Sequence, residues 1–162
     1  MTFVVSLLRE EQLAGDVVVA FFIVLGSAVV ASSWLWAGLL QRARGGGALA
    51  LLNALLAIAT LLPVLSPRPI VVFASGLLFG AVFLSLVAST TALVRHNLAP
   101  AAWPAGIATF TIVFAFGQIV GPSAVGLIAD QFGGLRAGFA CSAAVLALAA
   151  LVATRQKAIG AA

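Results

Sequence analysis

The sequence predicts an all-α fold, a polytopic transmembrane helix bundle of about five full spans preceded by a short N-terminal half-helix. Three observations predict it. Of the 162 residues, 64% are hydrophobic and 7% charged, with a mean hydropathy of +1.25, whereas a water-soluble domain carries about 25% charged residues. The few charges punctuate the chain and leave charge-free stretches at 17–41, 45–67, 69–94, 97–129 and 137–154. Each is long enough for the ~17 to 25 residues that a helix needs to cross ~30 Å of hydrocarbon. Finally, Pro and Gly gather where those stretches meet, at Gly45-Gly46-Gly47, Pro67 and Pro69, Pro100 and Pro104, and Gly133-Gly134.

The elements follow in order along a single membrane domain, 1–162. Residues 1–8 are apolar, but no basic residue precedes them and no small-residue cleavage site follows, so they are not a secretory signal. As a helix they reach about 12 Å, too little to cross. With an odd number of spans, they read as the outer end of a truncated helix. Glu10 and Glu11 fall in a short polar loop, and Asp16 can cap the first span, 17–40, at the positive end of its dipole. The glycines at 45–47 open the second span, 46–65. Ser66-Pro67-Arg68-Pro69 is a tight turn whose second proline starts the third, 69–94. The fourth stretch is too long for one helix and too short for two. Because proline is tolerated in a first helical turn, Pro104 marks the start of the span, 104–129. Gly133-Gly134 ends it, and the fifth span covers 135–154.

Orientation follows from the loops. Arg42, Arg44, Arg95, Arg155 and Lys157 fall on one side, and Arg9, Arg68 and Arg136 on the other. The positive-inside rule makes the first side, and with it the C-terminus, cytoplasmic. The acids Glu10, Glu11, Asp16 and Asp130 all fall outside. The net charge of +4 is scattered, with no basic stripe, so the expected partner is the lipid bilayer and not nucleic acid.

Nothing in the chain reads as an enzyme. There is one His, one Cys and no Tyr, no zinc spacing, and no pair of carboxylates that a helix or turn brings together, so neither a metal nor another cofactor is expected. His96 reads as an interfacial residue at a helix end, Cys141 as a buried small hydrophobe, and Trp34, Trp36 and Trp103 as members of the interfacial aromatic belt. No ionisable side chain lies mid-span, so the residues of any ion coupling belong to a part outside this chain. Ser89, Thr90 and Thr91 can bond to their own helix backbone. Asn53 reads as structural.

The richest pattern is the run from Gly117 to Asp130. Gly117 and Gly121 share a helix face and let another backbone approach, Pro122 bends the helix, and Gly126 belongs to the same helix-packing run. Gly76 and Gly80 repeat that spacing in the third span. Gln118 is the largest neutral hydrogen-bonding group near mid-span, where an unpaired amide costs several kcal/mol. Its partner is either a solute or a neighbouring helix.

This run resembles the glycine-and-proline motif of the major facilitator superfamily, carried on the fifth helix and echoed on the eleventh. The segments 76–80, 90–95 and 97–106 resemble its YbfB/YjiJ-type branch, and the likeness covers nearly the whole chain. The resemblance implies that the five spans are helices eight to twelve of a twelve-helix transporter, with residues 1–8 the outer end of helix seven and both termini cytoplasmic. It also implies a solute held at mid-membrane between two six-helix halves. Phe79, Phe83 and Ser85, with Phe73, Gly76 and Gly80, then lie on helix ten, and Thr111, Phe114 and Gln118 on helix eleven. Residues 41–46 take the place of the family's basic loop between helices eight and nine without its usual Asp, leaving Arg42 and Arg44, like Arg95 and Asp130, with gating or topological roles. The expected function is that of the C-terminal half of a secondary active transporter. It would move a small organic solute across the bacterial cytoplasmic (inner) membrane by alternating access, and be inactive without an N-terminal transporter half. The alternative is a truncated or split-gene membrane protein with a structural or assembly role. A homo-oligomeric channel would need a polar face through the full membrane depth, and none is present in the sequence.

Overall fold

The computed structural model describes residues 15–159, and the apolar residues 1–8 lie outside that range. The described residues form α1 (Gly15–Arg42), α2 (Gly47–Leu65), α3 (Pro69–Asn97), a 3₁₀ turn (Pro100–Ala102), α4 (Trp103–Phe132) and α5 (Leu135–Thr154). All five helices are long and apolar enough to cross a membrane, and no strand occurs among the described residues. α3 continues past Val94 through Arg95 and His96, because basic groups at a helix C-terminus complement its dipole. α4 continues past Ala129 to Phe132 and is closed by Gly133 and Gly134, whose φ values of 106° and 82° suit residues without a side chain.

In space the helices do not follow chain order. α1 packs on α3, α3 on α2, α2 on α5 and α5 on α4, while α4 leans back with a lighter contact onto α3. Two apolar clusters fill the row. One joins Phe21, Val72 and Phe139 from α1, α3 and α5, and the other joins Leu52, Leu56 and Val82 from α2 and α3. The α2–α5 contact is the most extensive, and both helices bury many alanines, including Ala57, Ala59, Ala143 and Ala150. Small side chains let backbones approach where lipid tails remove any hydrophobic drive for association.

The α1–α3 pair owes its closeness to Gly76 and Gly80. A side chain at Gly76 would run into the Phe21 ring, and one at Gly80 into the Leu25 carbonyl. Further along, the Ser85 hydroxyl donates to the Ser32 carbonyl (3.3 Å), and Trp36 Nε1 donates to the Ala81 carbonyl (2.7 Å). Trp36 therefore departs from the interfacial expectation. It ties two helices together while Trp34 stays 76% exposed.

A second device joins α2 to α3. Pro63, inside α2, has no N–H to give the Ala59 carbonyl four residues earlier. The Ser75 hydroxyl of α3 donates to that carbonyl instead, at 2.6 Å and in a buried position. Other polar side chains in the spans bond to their own helices, as Asn53 does to Leu49, Thr60 to Leu56, Ser89 to Leu86 and Thr90 to Val87. Among the described residues no buried side-chain nitrogen or oxygen lacks a partner.

Two predictions follow from this packing. Ser75→Ala leaves a buried carbonyl unpaired and should destabilise the bundle by roughly 1–3 kcal/mol, and adding Pro63→Ala, which restores the intrahelical donor, should recover part of that loss. Unfolding in detergent of the two single variants and the double variant measures the coupling. In addition, Gly80→Leu should abolish the folded fraction in size-exclusion profiles, whereas Gly121→Leu, with nothing within 4 Å of its would-be side chain, should leave it intact.

Candidate functional cleft

The gap between α4 and the α3–α2–α5 row is a cleft of about 470 Å³. Each wall has a sequence reason. α4 contributes Gly117, Gly121, Ala124, Val125 and Ile128, which recur at helical spacing on one face, together with Pro122. α5 contributes Phe139, Cys141, Ser142, Val145 and Leu146, α3 contributes Phe79 and Phe83, and α2 contributes Leu56 and Thr60. The surface is mainly apolar. Its hydroxyls are already engaged as donors, Thr60 to the Leu56 carbonyl (2.8 Å) and Ser142 to the Gly138 carbonyl (2.9 Å), so what they offer an occupant is acceptor capacity.

An aromatic ladder runs along one edge. Phe79 and Phe83 stack with centroids 5.2 Å apart and planes 15° apart, and Phe114 of α4 lies 6.4 Å from Phe83 in a tilted arrangement. Three residues expected at a solute site, Phe79, Phe83 and Phe114, thus come together across α3 and α4. Others do not join them. Ser85 is 3% exposed and turned toward α1, where it bonds to Ser32, because it falls on the side of α3 that Gly76 and Gly80 press against α1. Thr111 is exposed and donates to its own helix at Ile107 (2.9 Å).

Gln118 is exposed on α4, outside the cleft lining, and its side chain makes no hydrogen bond among the described residues. Pro122 also removes the N–H that would bond the Gln118 carbonyl. A side-chain amide without a bond and a backbone carbonyl without its usual donor four residues on therefore share one level of a helix of which only 6% of the most apolar stretch is buried, against 50% for α2. Gly117 and Gly121, expected to receive a neighbouring backbone, have nothing within 4 Å of a would-be side chain. They form cleft wall instead, while close approach occurs at Gly76 and Gly80. Gly126 is half-buried.

The charged candidates lie away from the cleft. Arg42 and Arg44 are exposed at the end of α1 and the turn after it, and Asp130 is exposed near the end of α4. Arg95 lies over the Trp103 ring, with Cζ 4.9 Å from the centroid, and Trp103 Nε1 donates to the Leu98 carbonyl (3.0 Å). This stacking fastens the α3–α4 turn. Among the described residues no three His, Cys, Asp or Glu side chains gather where they could hold a metal.

Sequence reasoning missed the α2 and α5 walls. Cys141, read as a buried small hydrophobe, is half-buried and faces the cleft. The signal was present in α5, where Gly138, Cys141, Ser142 and Val145 repeat small residues at i, i+3, i+4 and i+7. As the only cysteine, Cys141 reports on the cleft. N-ethylmaleimide should modify it in the folded protein, and Gly121→Phe, which places a ring into open cleft space, should slow that modification several-fold as followed by intact mass.

The family model described as "Uncharacterised MFS-type transporter YbfB" matches residues 1–154. No curated protein and no solved structure matches the chain. The match spans all five helices, and with it the run from Gly117 to Asp130 has a place: the chain belongs to the YbfB-like family of major facilitator superfamily transporters.

Proposed function

We propose that this chain is the C-terminal half of a secondary transporter that moves a small, largely apolar organic solute by alternating access between itself and an N-terminal half. The observation that carries the reading is the bare face of α4. A membrane-length helix with Gly117 and Gly121 open, Gln118 unbonded and almost nothing packed on it is built to meet further protein or solute. The Phe79–Phe83–Phe114 ladder beside it offers stacking surface and no charge, which suits a neutral or weakly polar solute. On this reading the chain alone supplies one wall of a chamber and transports nothing.

The same reading places the protein in the bacterial cytoplasmic membrane with the face of Arg42, Arg44, Arg95, Arg155 and Lys157 inside. In a Cys141→Ser background, Arg44→Cys and Arg68→Cys should label with an impermeant maleimide from opposite sides of the membrane. Labelling of both from one side overturns the orientation.

Co-expression with a candidate N-terminal half, co-purification and proton-driven flux in proteoliposomes test the transport reading. Flux is expected only when both halves are present, and Gln118→Leu should reduce it at least several-fold with unchanged yield. Co-purification with no flux for any solute offered would favour a structural or assembly role.

A further inference from the structure

At the end of the bundle that carries Arg42, Arg44, Arg95, Arg155 and Lys157, the chain beyond α5 turns back onto the protein. Residues 156–158 have no regular structure, yet they lie along the α1–α2 turn. The Gly46 N–H donates to the Gln156 carbonyl (3.0 Å), and a Cβ at Gly45 would stand 3.1 Å from the same carbonyl and 3.4 Å from the Ala158 nitrogen. A Cβ at Gly46 would run into the Ala153 carbonyl, so the glycines after Arg44 are what allow this approach.

Asn97, the last residue of α3, joins the two segments. Its Nδ2 donates to the Arg44 carbonyl (2.7 Å) and to the Leu93 carbonyl of its own helix (2.8 Å), and its Oδ1 accepts the Ile159 N–H (2.7 Å). One side chain thus holds residues 53 and 62 positions away in sequence. His96 Nδ1 lies 2.9 Å from the Ala43 carbonyl and braces the same turn.

We propose that residues 156–159 are a releasable strap, locked by Asn97, that holds the α1–α2 turn against the end of α3, so that this end of the bundle opens only when the strap lets go. The lock is made to be reversible. The bonds from Asn97 to Arg44 and from Ile159 to Asn97 are exposed, and water can replace each of them. Charge works against closure, since Arg42 ends α1 and Arg44 lies on the turn, while Arg155 precedes the strap and Lys157 lies on it, with the Lys157 backbone beside Gly45. Neutral hydrogen bonds therefore hold like charges together. The turn joins α1 to α2 at this end, so letting go of the strap frees the turn while the α1–α3–α2 row stays packed. The inference needs no transport activity and stands or falls separately from the transport reading.

Hydrogen exchange of the full chain in nanodiscs tests it. The Gly46 and Ile159 amides should be protected in the unaltered protein. Asn97→Ala should raise the exchange of both at least tenfold with mid-helix protection unchanged. Asn97→Asp keeps an oxygen for the Ile159 N–H and should keep that amide protected. As a second readout, Ala43→Cys in a Cys141→Ser background should label faster after deletion of residues 156–162. Unprotected Ile159 and Gly46 amides in the starting protein, no change on Asn97→Ala, or no gain in labelling on deletion would each overturn the strap.

Discussion

Hydrocarbon offers no hydrogen bond, and the rest of this structure is arranged around that fact. A polar atom in a span must be answered by protein, at a cost of several kcal/mol when it is not. Most serines and threonines meet the demand locally, turning the hydroxyl back onto the carbonyl three or four residues earlier, as Thr60, Ser89 and Thr90 do. The informative cases are those met from another helix. Ser75 answers the carbonyl that Pro63 leaves open, and Trp36 reaches the Ala81 carbonyl. These bonds set register between helices that lipid would otherwise let slide, and they hold the α1–α3–α2 row as a fixed platform.

Against that platform α4 is the exception. It also contains a proline, Pro122, but no helix among the described residues supplies the missing donor beside it. The two proline sites make a contrast within one chain. Pro63 is buried and compensated, whereas Pro122 borders the cleft beside the unbonded Gln118. The same contrast holds for the glycine pairs, since Gly76 and Gly80 are closed by α1 and Gly117 and Gly121 face space. One half of the bundle has spent its close-packing devices on internal contacts, and the other presents them outward.

The fold was legible because the spans are long and the charges that separate them are few, so hydropathy and punctuation pointed to five helices. What could not be read was the order of helices in space. That order depends on which small residues meet which backbones, and identical Gly-x-x-x-Gly spacing at 76–80 and 117–121 led to opposite environments. The candidate cleft was legible in part. Phe79, Phe83 and Phe114, picked from their place in a family pattern, come together beside the cleft, but Ser85 faces the other way, because the two residues between it and Phe83 amount to about 200° of helical rotation. The α2 and α5 walls went unseen, since Leu56, Val145 and Leu146 look like any lipid-facing aliphatic until a neighbour stands opposite them. The bond between Trp36 and Ala81 was hidden for the same reason, as a tryptophan near a span end fits interface and interior equally well.

The spatial order α1, α3, α2, α5, α4 also bears on how the chain enters the bilayer during synthesis. α1 emerges before its main partner, and its contact face with Phe21 and Ala28 must wait in lipid, or against the insertion machinery, until α2 has crossed and residues 69–97 have followed. α4 has no such wait, because its chief partner is the next helix, joined through two glycines. Biogenesis therefore divides into an early stage that depends on delayed pairing and a late hairpin that can insert as a unit. A nascent chain arrested before α3 leaves the ribosome exposes the glycine-matching surface of α1 to quality control.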